Sequence, residues 1–173
     1  MARMRKWLAL AVALLTMAFC LTGCTGRVSE PPDLQVTAQV DGEALSLPWT
    51  VGLNQWDSVA YDREDVLVSL MKDQTAAAVP QLPEGTTLEL ELAQRVPDEA
   101  VLTVLVLNED GSVLEEGEAQ TVTLEAAETG SRLSIEVQRP DGQDAQSGER
   151  LLGYRLRCLW QENSCEYGWV LRV

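Results

Sequence analysis

The sequence predicts an all-β fold on the strength of three observations. Short runs in which apolar and polar residues alternate recur along the chain, as they do in strands with one buried face. Turn residues such as Asp41-Gly42 and Glu109-Asp110-Gly111 separate these runs at regular intervals. Val and Leu supply the bulk of the apolar side chains, which favours strands over helices. The pattern therefore predicts one strand-rich domain over residues 34–173.

The first part of this domain contains a predicted hairpin and one predicted helix. Alternation over residues 34–40 stops at the turn Asp41-Gly42 and resumes over 45–47. The stretch 48–56 carries Pro, Gly and Asn, so it is predicted to be irregular. Asp62 is the expected N-cap of a short helix that ends near residue 72 or 73. The apolar residues at helical spacing behind it are Val66, Leu67, Leu70 and Met71.

The second part contains the predicted central strands. Residues 88–92 alternate Leu with Glu, which predicts one buried face and one wet face. Residues 101–107 are apolar on both faces apart from one Thr, as in a strand at the centre of a sandwich. Two further alternating strands, one over 122–124 and one over 133–137, lie on either side of Thr129-Gly130.

The C-terminal residues predict a hairpin whose register follows from the side chains. If Cys158 lies opposite Cys165, the next three facing pairs are all apolar, whereas a slip by one residue would bring Glu166 and Arg172 to the core face. Trp160 opposite Cys165 has the same parity and stays an alternative. The cysteine pairing is preferred because it allows a disulfide, and an oxidising compartment favours the bridge over two buried thiols. The predicted pairs are Leu156 with Tyr167, Tyr154 with Trp169 and Leu152 with Leu171.

Seven or eight short strands with regular turns predict the architecture. We expect an immunoglobulin-like antiparallel β-sandwich with at most one short helix, after an N-terminal signal helix. A small open β-barrel is the alternative.

The N-terminal segment has the layout of a secretory signal. Arg3, Arg5 and Lys6 precede a run of about 15 apolar residues, which is shorter than the roughly 20 that a spanning helix needs. The run ends in Leu21-Thr22-Gly23-Cys24, which resembles the lipobox of bacterial lipoproteins at every position. This resemblance implies cleavage before Cys24 and a diacylglycerol thioether on its sulfur; ordinary secretion is the alternative.

These features predict three regions and a location. Residues 1–23 form a signal peptide, 24–33 a lipidated cysteine with a flexible Pro-containing spacer, and 34–173 the folded domain. The location is extracytoplasmic, anchored to the bacterial cell membrane by lipid, since two or three acyl chains hold a protein stably at a bilayer.

The last hairpin carries a second resemblance. Tyr154-Arg-Leu-Arg-Cys-Leu-Trp160 and Tyr167-Gly-Trp169-Val-Leu-Arg-Val173 are similar to the end of small lipoproteins of Gram-positive anaerobes. Those proteins also run from a lipobox through a Pro-rich spacer to a strand-rich domain. The resemblance covers the layout and this hairpin, and it implies no activity.

Composition excludes several classes of function. The chain has no histidine, which excludes Ser-His-Asp and Cys-His catalysis and His-based zinc sites. It has 27 Asp and Glu against 13 Lys and Arg, and three of those basic residues lie in the signal segment. Such a surface repels nucleic acid. We therefore expect no nucleic-acid partner, no catalytic residue, no metal and no cofactor.

Three aromatic residues, Trp49, Trp56 and Tyr61, are the candidate ligand-binding residues. They could form a platform for a sugar or a peptide in a loop. Core filling is the preferred interpretation, because the single Phe lies in the signal segment and the domain must build its aromatic core from Trp and Tyr.

Acidic groups offer weaker candidates. Asn108 to Gly111, and Asp141 to Asp144 with Glu149, carry oxygen ligands for calcium, but neither fits the twelve-residue calcium loop, and turn chemistry explains both. The run Glu115, Glu116 and Glu118 could be mistaken for catalytic carboxylates, and a solvated strand end is preferred.

The expected function is a membrane-tethered, non-catalytic interaction or accessory domain, with the membrane as one partner and a protein as another. A sugar- or peptide-binding lipoprotein is the first alternative. A hydrolase that uses carboxylates alone is the second, and it would need two acidic groups facing each other in a pocket.

Overall fold

The structure of this protein is a computed structural model, which describes residues 30–56, 59–62, 66–73, 78–93, 96–140 and 149–173. The predicted signal peptide and Cys24 lie outside these residues. The elements are β1 (Leu34–Val40), β2 (Glu43–Leu47), β3 (Trp49–Trp56), β4 (Val59–Asp62), α1 (Val66–Asp73), β5 (Thr87–Ala93), β6 (Glu99–Leu107), β7 (Val113–Glu116), β8 (Gln120–Val122), β9 (Glu125–Ala127), β10 (Gly130–Glu136), β11 (Leu151–Trp160) and β12 (Asn163–Arg172).

The strands form two antiparallel sheets packed face to face. The first sheet has the order β2-β1-β5-β10-β9, and the second has β4-β3-β12-β11-β6-β7 with β8 also paired to β6. Neither sheet closes on itself, so the predicted all-β sandwich is confirmed and the barrel alternative is wrong. The pairing of β5 with β10 in one sheet, and of β6, β11 and β12 in the other, is the central arrangement of immunoglobulin-like sandwiches.

The main core lies between the sheets, and period-two alternation fills it. Leu88, Leu90 and Leu92 of β5 point inward and are at most 1% exposed, while Glu89 and Glu91 lie on the outer face of the first sheet. The outer face is polar. Glu89 accepts a hydrogen bond from the Ser134 hydroxyl (2.8 Å), and Glu91 pairs with Arg132.

The C-terminal hairpin has the register that parity predicts. Cys158 lies opposite Cys165, Leu156 opposite Tyr167, Tyr154 opposite Trp169 and Leu152 opposite Leu171, so the prediction is confirmed. Trp160 lies opposite Asn163, which excludes the alternative pairing with Cys165. The hairpin is central, because β11 pairs with β6 on one side and β12 pairs with β3 on the other.

The stretch 48–56, predicted to be irregular, is mostly strand β3, so that prediction is wrong. Gly and Asn are poor strand formers, but here the neighbouring elements override local propensity. β3 pairs with β12 and β4, and a Cβ at Gly52 would lie 3.2 Å from Val66 of the helix. Glycine is therefore used where the helix approaches the sheet closely.

Helix α1 covers part of the outer face of the second sheet, and its predicted apolar residues form the contact. Val66, Leu67, Leu70 and Met71 are buried in a second cluster with β6, β11 and β12. This explains why β6 is apolar on both faces, since Leu105 and Leu107 lie under the helix. Asp62, the expected N-cap, is the last residue of β4, and residues 63–65 between it and the helix lie outside the described chain.

The predicted strand around Val122 and Leu124 is two shorter strands in different sheets. β8 pairs with β6 in the second sheet, and β9 pairs with β10 in the first. Leu124 is buried at the crossing point. The chain therefore passes from one sheet to the other along the side of the sandwich.

The beginning of the domain is held by the C-terminal strand. The Tyr167 hydroxyl donates a hydrogen bond to the carbonyl oxygen of Pro32 (2.6 Å), and Pro32 is buried. The contact joins residues 135 positions apart, within the last residues of the predicted spacer.

Replacing Gly111 by Ala should destabilise the protein by about 1–3 kcal/mol more than replacing Gly85 by Ala. Both glycines have positive φ, +84° and +81°, so both variants carry a similar backbone strain. Only at Gly111 would the new Cβ meet the helix, at 2.7 Å from the Leu67 carbonyl oxygen, whereas nothing lies within 4 Å at Gly85. Urea unfolding measures the difference, and equal losses would show that the helix does not rest on this turn.

Replacing Tyr167 by Phe should lower the free energy of unfolding by about 1–3 kcal/mol, because the buried Pro32 carbonyl loses its donor. Tyr61→Phe is the matched control, since Tyr61 is 47% exposed and its substitution should change stability by less than about 0.5 kcal/mol. Urea unfolding of both variants checks this. Equal stability of Tyr167→Phe and the parent would contradict a role for the bond.

Candidate functional site

The three predicted aromatic residues do not share a surface. Trp56 is 7% exposed and packs edge-to-face on Trp160, with ring centroids 5.3 Å apart. Trp49 packs against the core and contacts Tyr167 in the same way at 5.8 Å. Tyr61 lies exposed on the edge strand β4. Two of the three therefore fill the core, and together they form no platform.

The turn at 108–111 is held by its own hydrogen bonds and by an ion pair. Asp110 accepts bonds from the Ser112 backbone N–H (2.9 Å) and hydroxyl (2.6 Å), and these bonds lower the pKa of its carboxyl. The hydrogen bond from Arg172 (2.8 Å) likewise lowers the pKa of Glu109. Residues 141–148 of the other acidic stretch lie outside the described residues. Within the described ranges, no three Cys, Asp or Glu side chains are grouped to hold a metal ion.

A cavity of about 530 Å³ opens at the side of the sandwich, between β6 and β8 of the second sheet and β10 of the first. We call it the side cavity. Its volume falls in the range of small-molecule sites, roughly 300–1,000 Å³. The lining residues are Leu102, Val104, Glu115, Glu116, Gly117, Glu118, Gln120, Val122, Ile135, Glu136, Gln138, Arg139, Pro140 and Tyr154.

A break in strand pairing shapes this side of the sandwich. β7 pairs with residues 105–107 of β6 and β8 with residues 100–102, so the chain between them leaves the ladder at Gly117. The Gly117 N–H donates to the Val104 carbonyl (2.9 Å), and a Cβ at Gly117 would lie only 2.6 Å from that oxygen. A side chain at this position would push the loop away from β6, so glycine lets the acidic loop lie against the cavity.

The entrance of the cavity is negatively charged. Glu115 and Glu116 of β7, Glu118 of the following loop and Glu136 of β10 are exposed residues of its lining. Arg139 is the one cation among the described residues of the lining, and it forms an ion pair with Glu84 (2.7 Å). The acidic run is a solvated strand end, as expected, and it also gives this entrance a potential that attracts cations.

The wall of the cavity includes the buried Tyr154. The residue is 1% exposed, and its ring stacks on Trp169 with centroids 5.1 Å apart. Its hydroxyl has no hydrogen-bond partner within the described part of the chain. Burial raises the pKa of Tyr154, so the hydroxyl stays protonated. An unpaired buried hydroxyl costs about 1–3 kcal/mol, a cost that a bound polar group would remove.

A second cavity, of about 680 Å³, lies by β9 and the Thr129-Gly130 turn. It is larger, but its lining comes mostly from exposed residues, and its guanidinium, Arg132, is paired with Glu91. The side cavity is the stronger candidate because it combines apolar side chains from both sheets with the buried Tyr154, whose hydroxyl has no partner among the described residues.

The two cysteines of the domain lie opposite each other and are fully buried as thiols. Burial raises the pKa of each to about 12. Thiols with so high a pKa are poor nucleophiles at neutral pH. The pair is therefore not a reactive site in this form.

No protein-family model and no curated protein matches this chain. Over the described residues, no helix has the length and apolarity needed to cross a bilayer.

The sequence did not indicate the side cavity, because its residues come from separate strands of two sheets. The sequence pattern places Tyr154 on the core face of its strand and Ile135 in an ordinary alternating strand. Two local signals were present: a glycine within an acidic run, and one hydroxyl on an otherwise apolar strand face.

Proposed function

We propose that this protein is an extracytoplasmic lipoprotein, anchored to the bacterial cell membrane by diacylglycerol on Cys24, whose sandwich domain binds a partner and does not catalyse. The observation that carries the anchor is the complete lipobox Leu21 to Cys24, behind a basic and then apolar segment. Two or three acyl chains on one cysteine make such an anchor stable.

The attachment of the domain supports this proposal. The chain is held at Pro32 by Tyr167, and the roughly eight residues between Cys24 and Pro32 can span at most roughly 29 Å. The sandwich would thus stay near the bilayer. Its excess of carboxylates would keep its surface off anionic head groups and available to a partner.

Binding is favoured over catalysis by the kind of groups at the side cavity. The chain has no histidine, and the carboxylates of the cavity lie exposed at its entrance. A carboxylate-only hydrolase needs one acid held in an apolar environment that raises its pKa. A small-ligand lipoprotein is the second candidate, and the side cavity is the observation that favours it.

Replacing Cys24 by Ala should abolish incorporation of labelled fatty acid and leave an uncleaved precursor, because the thiol that accepts the lipid is gone. Cys20→Ala is the matched control, since Cys20 lies in the same apolar segment but follows Phe19. Metabolic labelling and the size of the product check both variants. Labelling of Cys24→Ala at the parent level would overturn the proposal.

We further propose that Cys158 and Cys165 form a disulfide in the extracytoplasmic protein. Facing residues of an antiparallel pair have Cα atoms about 4.5–5.5 Å apart, inside the range of about 4.4–6.8 Å that a disulfide spans. The bond would close a small loop and add about 2–3 kcal/mol.

Unfolding the unreduced protein in urea with an alkylating agent should leave both cysteines unmodified, and peptide mapping should find them linked. Alkylation of both cysteines without reductant would overturn the bridge.

The bridged form should also tolerate alkaline pH better than the reduced form. In the folded reduced protein, burial raises the pKa of each thiol from 9.0 to about 12. The unfolded reduced chain therefore loses its thiol protons first, and the stability of the reduced form falls as pH rises from about 9 towards 12.

A further inference from the structure

We propose that the side cavity binds an aliphatic ammonium ion, as presented by the lysine side chain of a protein partner or by a free alkylamine. The inference rests on the proposed binding function and gives it a ligand chemistry. It is carried by the apolar lining, the charge of the entrance and the unpaired hydroxyl of Tyr154.

The lining suits an aliphatic stem. Leu102 and Val104 of β6 lie on one side of the cavity and Ile135 of β10 on the other, with Val122 and Pro140 beside them. Each methylene group that leaves water between such side chains contributes about 0.8 kcal/mol. An alkyl chain of several carbons would therefore be held by the walls.

The entrance suits a cation. Among the described residues of the lining, the carboxylates of Glu116, Glu118 and Glu136 outnumber the one guanidinium, and that guanidinium is paired with Glu84. An anion would be repelled there, and a neutral group would gain nothing from the field. The charge therefore selects an ammonium group over a hydroxyl or carboxylate on the same stem.

Tyr154 supplies a second and independent indication of a ligand. Its hydroxyl is buried in the cavity wall and unpaired within the described residues, although hydroxyls in protein interiors nearly always have a partner. The hydroxyl oxygen can accept a hydrogen bond from an ammonium N–H or another donor of the ligand. Because the hydroxyl is buried, a ligand in the cavity reaches it only when neighbouring side chains of the lining shift.

The test is calorimetric titration of the full mature lipoprotein in an uncharged detergent, with detergent micelles alone as the blank. The probes are hexylamine and Nα-acetyl-lysine methylamide, with 1-hexanol and Nα-acetyl-norleucine methylamide as neutral partners. We expect each amine to bind at least about threefold more tightly than its neutral partner, with the preference falling as salt is added. Binding of the lysine derivative indicates a protein ligand, whereas binding of hexylamine alone indicates a free amine.

Four variants separate the site from nonspecific attraction. Glu118→Gln and Glu136→Gln should each weaken amine binding by up to about fivefold, and Glu43→Gln on the distant edge strand β2 should leave it unchanged. Tyr154→Phe should weaken it as well without lowering the thermal midpoint, because the hydroxyl has no partner to lose among the described residues.

Two results would overturn the inference. One is equal affinity for the amine and its neutral partner. The other is equal loss in Glu43→Gln and Glu136→Gln, which would mean attraction to the general surface charge. Neither result bears on the acylation of Cys24, so failure of this inference and failure of the proposed anchor are distinguished.

Discussion

The register of the β11–β12 hairpin is the constraint on which the rest of the fold depends. It places Tyr154 beside Trp169 and Tyr167 beside Trp49, and so sets the aromatic part of the core. The same parity turns Gly153 and Gly168 to the outer face, where Leu67 of the helix packs. A shift by one residue would exchange these two faces, so it would disrupt the core and the helix contact at the same time.

The hairpin also connects the domain to its proposed anchor. The Tyr167 hydroxyl binds Pro32 at the entry to the domain, so the best-packed strand pair holds the point where the spacer ends. The entry to the domain is thus joined to the central strand β12 as well as to the ladder of β1. This arrangement suits the proposed short tether.

The side cavity follows from how the chain changes sheets. β6 carries β7 along one half and β8 along the other, and the chain then crosses to β9 of the first sheet. Because the crossing leaves Val104 and Ile135 only half-buried, the interior of the sandwich is reached from the side. Acidic residues of the surface and apolar residues of the core meet at this place, and this combination is the basis of the proposed preference for an ammonium group.

The sequence by itself determined the β class, the helix and the register of the last hairpin, since these depend on local periodicity and parity. Tertiary structure alone decided three other features. A glycine occupies position 52 of a strand because the helix packs closely against it. Residues 120–127 divide between two sheets because β8 pairs with β6 and β9 pairs with β10. Tyr154 lines a cavity because residues far apart in sequence meet there. Such contacts join distant positions, and no local pattern encodes them.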